Sequence, residues 1–188
     1  MNVKKNFGIC LFEKDSMEQN ALRVLMQLVR SQNLGRALNF SFVEAQSSLL
    51  PDLSLWENIQ LELGGQAWGD LHDNMNASWK YLMNLIIDPN LKASAAQDWE
   101  RFAVSLLKGI AGKNNHLLID VNEKLLSPLV LKHFRSVIME SAEQKNIYVA
   151  SAHTSVWLDC AHAIVKRKTF EFETEILDLE NIKKHWVA

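Results

Sequence analysis

Short apolar runs alternate along the chain with longer stretches in which apolar residues recur at helical spacing. The runs at Phe7–Phe12, His116–Asp120 and Ile147–Ala152 are largely apolar, which is typical of strands buried on both faces of a sheet. A further strand is predicted at Asn39–Glu44, and a last strand or hairpin at Ala163–Phe172. Strands that alternate with helices in this way predict an α/β fold with a parallel, doubly wound sheet.

Helices are predicted between these strands. Apolar residues from Ala21 to Val29 recur at helical spacing, and Pro128 fits the first turn of a helix that runs to about Gln144. Residues Ile176–Trp186 are expected to form a closing helix. The long region between the second and third strands has helical character. We therefore predict a single domain over residues 1–188, with a core at 1–46 and 113–188 and an inserted helical subdomain at about 47–112.

Composition narrows the class of protein. The chain has 188 residues, of which 48% are hydrophobic and 22% charged, as in ordinary globular domains. A net charge of -2 does not favour a nucleic-acid partner. No apolar stretch approaches the roughly 20 residues that cross a bilayer, and the N-terminus lacks the pattern of a signal peptide. We expect a cytoplasmic protein without direct membrane insertion, in which Cys10 and Cys160 are reduced, buried thiols.

Three polar residues follow predicted strands and are candidates for chemistry. Gln46 follows the second strand, Asp120 ends the third, and His153 follows the fourth. Each alone is more often a structural loop residue. However, the carboxyl ends of parallel strands share one edge of a sheet, which is where doubly wound folds place their ligands. No motif supplies a third strong metal ligand there, so we predict no metal site.

The segment around Gln46 resembles a known family. Phe42–Ile59, FVEAQSSLLPDLSLWENI, is similar to the Q-loop and the start of the helical subdomain in the nucleotide-binding domains of ATP-binding cassette (ABC) transporters. Leu117–Pro128 resembles the Walker B strand and D-loop, with Asp120 at the magnesium-associated aspartate. Ile147–His153 resembles the H-loop strand, with His153 at the switch histidine. Ser94–Gly112 is similar to the signature motif and its helix. The resemblance implies a P-loop NTPase-like parallel sheet flanked by helices.

The phosphate-binding loop departs from this family pattern. A P-loop needs G-x-x-x-x-G-K-S/T, because backbone N–H groups cradle the phosphates while the lysine reaches their oxygens. Met17, Glu18, Gln19 and Asn20 stand where the family has Gly, Lys, Ser and Thr, so Glu18 takes the place of the lysine. Glu18 would place a negative charge where a triphosphate needs a positive one. We expect that Phe12–Asn20 does not form an anion-binding loop.

Three more departures point in the same direction. Val121 stands where the family has its catalytic glutamate, and valine cannot polarise water. Ser94–Gln97 lacks the glycines of the signature motif. Few residues precede the phosphate-loop position, so the antiparallel β subdomain that stacks on adenine is expected to be missing or vestigial. Gln46, Asp120 and His153 are then vestigial candidates rather than catalytic residues, and no cofactor is expected.

The resemblance also predicts how the chain acts. We expect a degenerate, non-hydrolysing subunit that serves as a structural or regulatory partner of a permease-like membrane protein or of an active ABC ATPase, peripherally at the inner face of the membrane. The predicted partner-binding residues are Gln46, Leu49, Leu53 and Trp56, because this region receives the membrane subunit in the family.

Two alternatives stay open. In the first, the chain is a divergent ATP-binding subunit that contributes to a composite ATPase site in a heterodimer, with ATP and magnesium as cofactors. Association as a homodimer is a related possibility. In the second, the chain is a regulatory protein that shares only the fold, since a fold does not fix a function.

Overall fold

A six-stranded sheet forms the centre of the protein in a computed structural model, which describes residues 8–14, 21–32, 38–44, 49–64, 77–85, 88–168 and 171–176. The strands are β1 (Gly8–Glu13), β2 (Phe40–Val43), β3 (His116–Asp120), β4 (Asn146–Ser151), β5 (Ala163–Lys168) and β6 (Glu171–Ile176). Their order is β2-β3-β4-β1-β5-β6. Strands β1 to β5 pair in parallel, and β6 pairs antiparallel with β5. The predicted parallel α/β sheet is confirmed.

The last part of the sheet corrects one expected element. The predicted strand or hairpin is a hairpin, and its second strand runs to Ile176. Ile176 therefore ends a strand and does not begin a helix. The rest of the predicted closing helix lies outside the described residues. The alternation in EFETEI, residues 171–176, is the period of two expected for a strand, and this pattern was available in the sequence.

Five α-helices lie around the sheet in the described parts of the chain. They are α1 (Ala21–Gln32), α2 (Leu55–Leu63), α3 (Ala77–Leu85), α4 (Asp98–Ala111) and α5 (Pro128–Ser141). The side chain of Ser127 caps α5 by accepting a hydrogen bond from the backbone of Val130, and Pro128 occupies the first turn as predicted. Single 3₁₀ turns occur at Glu123–Leu125 and Thr154–Val156.

Alternating residues of the strands feed two hydrophobic clusters, one on each face of the sheet. On one face, Phe12, Leu118 and Ala150 are buried together with Ala21 and other α1 residues. The intervening strand residues are buried in a larger cluster with residues of α2 to α5. Because both faces are covered, the central strands read as nearly continuous apolar runs in the sequence.

Helices α2, α3 and α4 lie between β2 and β3 in the sequence. All three helices contribute residues to the larger hydrophobic cluster. Helix α4 packs on α2 and on β2, and α3 packs along α5. The helical character of this region is as predicted, whereas its separation as a subdomain at about 47–112 stays a prediction. Within the described ranges, antiparallel pairing occurs between β5 and β6 and at one bridge, Ser54 with Lys92. The predicted lack of an antiparallel β subdomain stays a prediction, because it also concerns residues outside those ranges.

Candidate functional site

The carboxyl ends of β1, β2, β3 and β4 lie at one edge of the sheet and carry most of the candidate residues. The structure places Asp120 at the last position of β3 and His153 two residues after the end of β4. Gln46 and Met17, Glu18, Gln19 and Asn20 lie outside the described residues. The predictions about the glutamine and the phosphate-binding loop therefore remain predictions.

Asp120 is paired with a lysine that the sequence analysis did not single out. Lys14 comes directly after β1, and its ammonium group forms an ion pair with the carboxylate of Asp120. The same Nζ donates a hydrogen bond to the carbonyl oxygen of Val121 at 2.9 Å. The Lys14 side chain is 11% exposed and that of Asp120 25%. The backbone N–H of Lys14 donates to the carbonyl of Ser151 at 3.1 Å. Lys14 thus connects the ends of three strands.

A second carboxylate lies next to this ion pair. Glu44 follows β2, and β2 pairs with β3 up to Val43 and Ile119. Glu44 as a whole residue is exposed, and its carboxylate is partly buried. This burial, together with the negative charge of Asp120, raises the pKa of Glu44. This edge therefore holds two interacting carboxylates and one ammonium group.

The position after Asp120 is occupied by a buried valine. Val121 is 1% exposed, and its backbone N–H donates to the carbonyl of Ala150 at 3.0 Å. Glu123, two residues further along, accepts a hydrogen bond from the hydroxyl of the buried Ser151. The Ser151 hydroxyl oxygen accepts in turn from the backbone N–H of His153 at 3.0 Å. Glu123, the first glutamate after Asp120 in the sequence, therefore helps to order the loop after β4.

His153 is exposed and precedes the 3₁₀ turn Thr154–Val156. Its backbone N–H is the group held by Ser151, and its carbonyl accepts from Val156 at 3.1 Å. Asp120 and His153 therefore lie at the same edge of the sheet. Within the described residues, no hydrogen bond or ion pair joins their side chains.

The oxygen atoms of Asp120 and Val121 do not fit a directly coordinated magnesium ion. A hard divalent cation needs carboxylate and carbonyl oxygens free to coordinate it. Here the carboxylate of Asp120 and the carbonyl of Val121 both contact the ammonium of Lys14, and a second cation beside that ammonium would be repelled. Over the described part of the chain, no three His, Cys, Asp or Glu side chains group as a metal site.

The segment that resembles the Q-loop region has a clear structural role. Asn58 is fully buried, and its side chain accepts from the N–H of Leu50 at 2.8 Å and donates to the carbonyls of Leu50 and Ser54 at 3.1 and 2.9 Å. Ser54 caps α2 by accepting from the N–H of Glu57 at 3.1 Å, and the Glu57 carboxylate accepts from the N–H of Ser54 at 2.7 Å. The motif thus fixes the turn that leads into α2.

The predicted partner-binding residues differ in exposure. Leu49 is buried in the core at 8% exposure, so its side chain is a packing residue in this conformation. Leu53 and Trp56 are half-buried, and Trp56 packs against the core cluster. Leu50, which the sequence analysis did not select, is 50% exposed. The accessible apolar surface of this turn is therefore formed by Leu50 with parts of Leu53 and Trp56.

The segment that resembles the signature motif begins α4. Gln97 is the N-cap residue, and its N–H donates to the carboxylate of Glu100 at 2.7 Å. Its side-chain oxygen accepts from the indole N–H of Trp99 at 2.8 Å. Arg101 pairs with Asp98 and donates to the carbonyl of Ala96 at 3.1 Å. These side chains stabilise the start of the helix, which is a structural use of the segment.

The parallel sheet, its flanking helices and the loops at the strand ends define a P-loop NTPase-like α/β fold. Solved structures of ABC transporter cassettes share it. An ATP-binding subunit of an ABC transporter is 11% identical, with a TM-score of 0.68, over 97% of this chain and 82% of that chain. A dimeric bacterial ABC transporter cassette is 16% identical, with a TM-score of 0.65, over 95% of this chain and 88% of that chain. A metal-chelate type ABC transporter in an inward-facing conformation is 13% identical, with a TM-score of 0.64, over 97% and 79%.

At these identities the likeness establishes the fold. No protein-family model matches the chain, and no curated protein matches it. Among the residues that the structure describes, no helix is both long enough and apolar enough to cross a membrane.

Proposed function

We propose that the chain is an ABC ATPase-like subunit that does not hydrolyse ATP and that acts as a structural or regulatory partner in a membrane transport complex. The fold supports the first half of this proposal. The observation that carries the loss of hydrolysis is the replacement of the expected base by the buried Val121, with Glu123 bonded to the buried Ser151.

The chemistry of this edge favours a subunit without turnover. Hydrolysis of a phosphoanhydride needs a group that orients the attacking water. Val121 has no polar side-chain atom. For Glu123 to serve instead, its carboxylate would have to leave the Ser151 hydroxyl, and a buried hydroxyl without its acceptor costs about 1–3 kcal/mol.

The partner is proposed to be a polytopic, permease-like membrane protein or an active ABC ATPase. The contact surface is proposed at the turn before α2, where Leu50 is exposed and Leu53 and Trp56 are half-buried. The hydrogen bonds of Asn58 hold this turn in one conformation, and a rigid apolar turn loses little entropy when it binds. One structural neighbour is a dimeric cassette, which supports a dimer as a further mode of association.

Affinity capture from detergent-solubilised membranes tests the proposal. We compare the wild type with Leu50→Asp and with the control Met139→Asp, because Leu50 and Met139 are 50% and 47% exposed and lie on different elements. We expect wild type and the Met139 variant to recover the same membrane protein or cassette ATPase, identified by mass spectrometry, and Leu50→Asp to recover much less of it.

Two results would contradict the proposal. Equal recovery by all three proteins would remove the turn before α2 as the contact surface. ATP turnover by the purified complex that depends on Asp120 of this chain would instead establish the composite-site alternative.

A further inference from the structure

We propose that the ammonium group of Lys14 replaces a bound divalent cation at Asp120, so that this sheet edge carries its counter-charge on the chain itself. The inference goes beyond the proposed function, because it concerns the ion pair alone and requires no partner. The inference explains why the oxygen atoms of Asp120 and Val121 do not fit a coordinated magnesium ion: Lys14 already contacts them.

The first support is the set of atoms that Lys14 contacts. Its Nζ meets the carboxylate of Asp120 and the carbonyl oxygen of Val121. Carboxylate and backbone carbonyl oxygens are the ligands of hard cations. An ammonium group is a compact point charge with three donors and no acceptor, so it satisfies such oxygens as a small cation does.

The second support is the position of Lys14 in the fold. The residue follows β1, whereas Asp120 ends β3, and the two are 106 residues apart in the sequence. Strand β4 lies between β1 and β3 in the sheet. The side chain therefore reaches across one strand to the carboxylate, and both partners are largely buried.

The third support is the local charge. Glu44 follows β2, the strand that pairs with β3, and its pKa is raised first by partial burial and then by the negative charge of Asp120. Without Lys14, the charge of Asp120 would act on Glu44 without the counter-charge that the ion pair supplies, and like charges in a partly buried site are unfavourable. With Lys14, one of the two negative charges is neutralised by a group that cannot dissociate from the protein.

A tethered cation also has a large advantage over a free one. A group held by a short link has an effective concentration of roughly millimolar or more at its site. A magnesium ion must give up part of its hydration to bind and would have to displace this group first. We therefore expect the wild type to be indifferent to divalent cations at this edge.

Unfolding experiments with and without the metal alone test the inference. We compare wild type, Lys14→Met, the double variant Lys14→Met/Asp120→Asn, and the control Lys132→Met, which removes an exposed lysine from α5. Denaturant unfolding is measured in chelator and in about 10 mM MgCl₂ or MnCl₂ at constant ionic strength.

The inference predicts that metal does not change the stability of the wild type or of Lys132→Met. Lys14→Met should have an unfolding equilibrium constant about 10- to 100-fold larger than the wild type in chelator. It should regain stability in Mg²⁺ or Mn²⁺, and the double variant should not. A Lys14→Met protein that gains nothing from metal, or a wild type that gains as much, would overturn the inference.

A second measurement needs only the wild type and keeps the inference testable if Lys14→Met does not fold. Mn²⁺ binding is followed by electron paramagnetic resonance, and we expect no site with a dissociation constant below about 1 mM. A tighter site that Asp120→Asn abolishes would overturn the inference. So would stabilisation by inorganic phosphate or ATP that Lys14→Met abolishes, because Lys14 would then be a ligand for phosphate.

Discussion

Single buried polar residues decide how the loops of this protein are held. Asn58 is the clearest example, because its side chain satisfies backbone groups on both sides of the turn before α2. It is fully buried, so bulk solvent does not compete for these hydrogen bonds in the folded protein.

We expect Asn58→Ala to lower the free energy of unfolding by about 2 kcal/mol or more, because the fully buried Asn58 side chain makes three hydrogen bonds to the backbone of Leu50 and Ser54. Urea denaturation measures the change. Asn122→Ala is the matched control, since Asn122 is exposed and accepts one hydrogen bond, from Lys124 at 3.3 Å, and should cost less than about 1 kcal/mol. Equal losses for the two variants would be inconsistent with the structure.

His116 gives the protein a predictable response to acid. Burial lowers the pKa of His116, whose ring lies against Phe40 and Tyr148 at 5.6 and 6.1 Å between centroids. Its Nδ1 is buried with no hydrogen-bond partner among the described residues. Since the unfolded chain takes up a proton first as the pH falls, the contribution of neutral His116 is present above the unfolded pKa of about 6.5 and is lost as the pH falls through the folded pKa.

We therefore expect stability to fall between about pH 7 and pH 5, and His116→Gln to make this fall less steep. Denaturant midpoints measured across the range give the slope. The wild type and His116→Gln are compared under the same conditions. A slope in His116→Gln that equals or exceeds that of the wild type would contradict the prediction.

Lys14 belongs to the candidate site but was not identified from the sequence. Asp120 and His153 are recognisable because each follows an apolar run. Lys14 is also a charged residue at the end of a strand, but its partner is 106 positions away. Only the strand order, with β4 between β1 and β3, determines that the two side chains meet. The useful signal was that Lys14 and Asp120 end strands at the same sheet edge with opposite charge.

At the level of elements, the packing of α4 on the sheet depends on one close approach. A Cβ atom at Gly109 would lie 2.8 Å from a methyl group of Leu117 and 3.0 Å from one of Val43. Both distances are shorter than ordinary van der Waals contact. The glycine therefore allows α4 to lie close to β2 and β3.

We expect Gly109→Ala to destabilise the protein by about 1–3 kcal/mol through overpacking, despite the higher helix propensity of alanine. Gly112→Ala is the control, because the added Cβ would meet its nearest neighbours at 3.4 Å, and its effect should be within about 0.5 kcal/mol. Thermal or urea unfolding distinguishes the two. A neutral or stabilising Gly109→Ala would mean that α4 lies further from the sheet.

Elements buried on both faces were the easiest to predict. Strands β1, β3 and β4 are central in the sheet and appear as apolar runs, so their positions follow from the sequence. The edge strand β6 was predicted only in part, because the strand or hairpin was expected to end at Phe172 and a helix to begin at Ile176. The alternation in EFETEI continues the strand to Ile176, which pairs with Ala163 of β5.

At the level of the whole molecule, the fold is similar to that of nucleotide-binding cassettes, but the residues at the sheet edge differ from those expected of a nucleotide site. The sheet and helices are similar to those of ABC transporter cassettes over nearly the whole chain, whereas the edge where such a fold binds its ligand carries an internal ion pair and a buried valine. Alternating strands and helices were enough to predict the fold class. The ion pair was not predictable from composition or spacing, since it depends on tertiary contacts.

Isothermal titration calorimetry of the purified chain with Mg-ATP tests the central claim most directly. An intact ABC cassette measured under the same conditions serves as the positive control. Because Lys14 pairs with Asp120 and Glu18 stands where the phosphate-binding lysine would be, we predict no heat of binding for this chain and a normal isotherm for the control. A dissociation constant in the micromolar range for this chain would contradict the claim that it works without nucleotide.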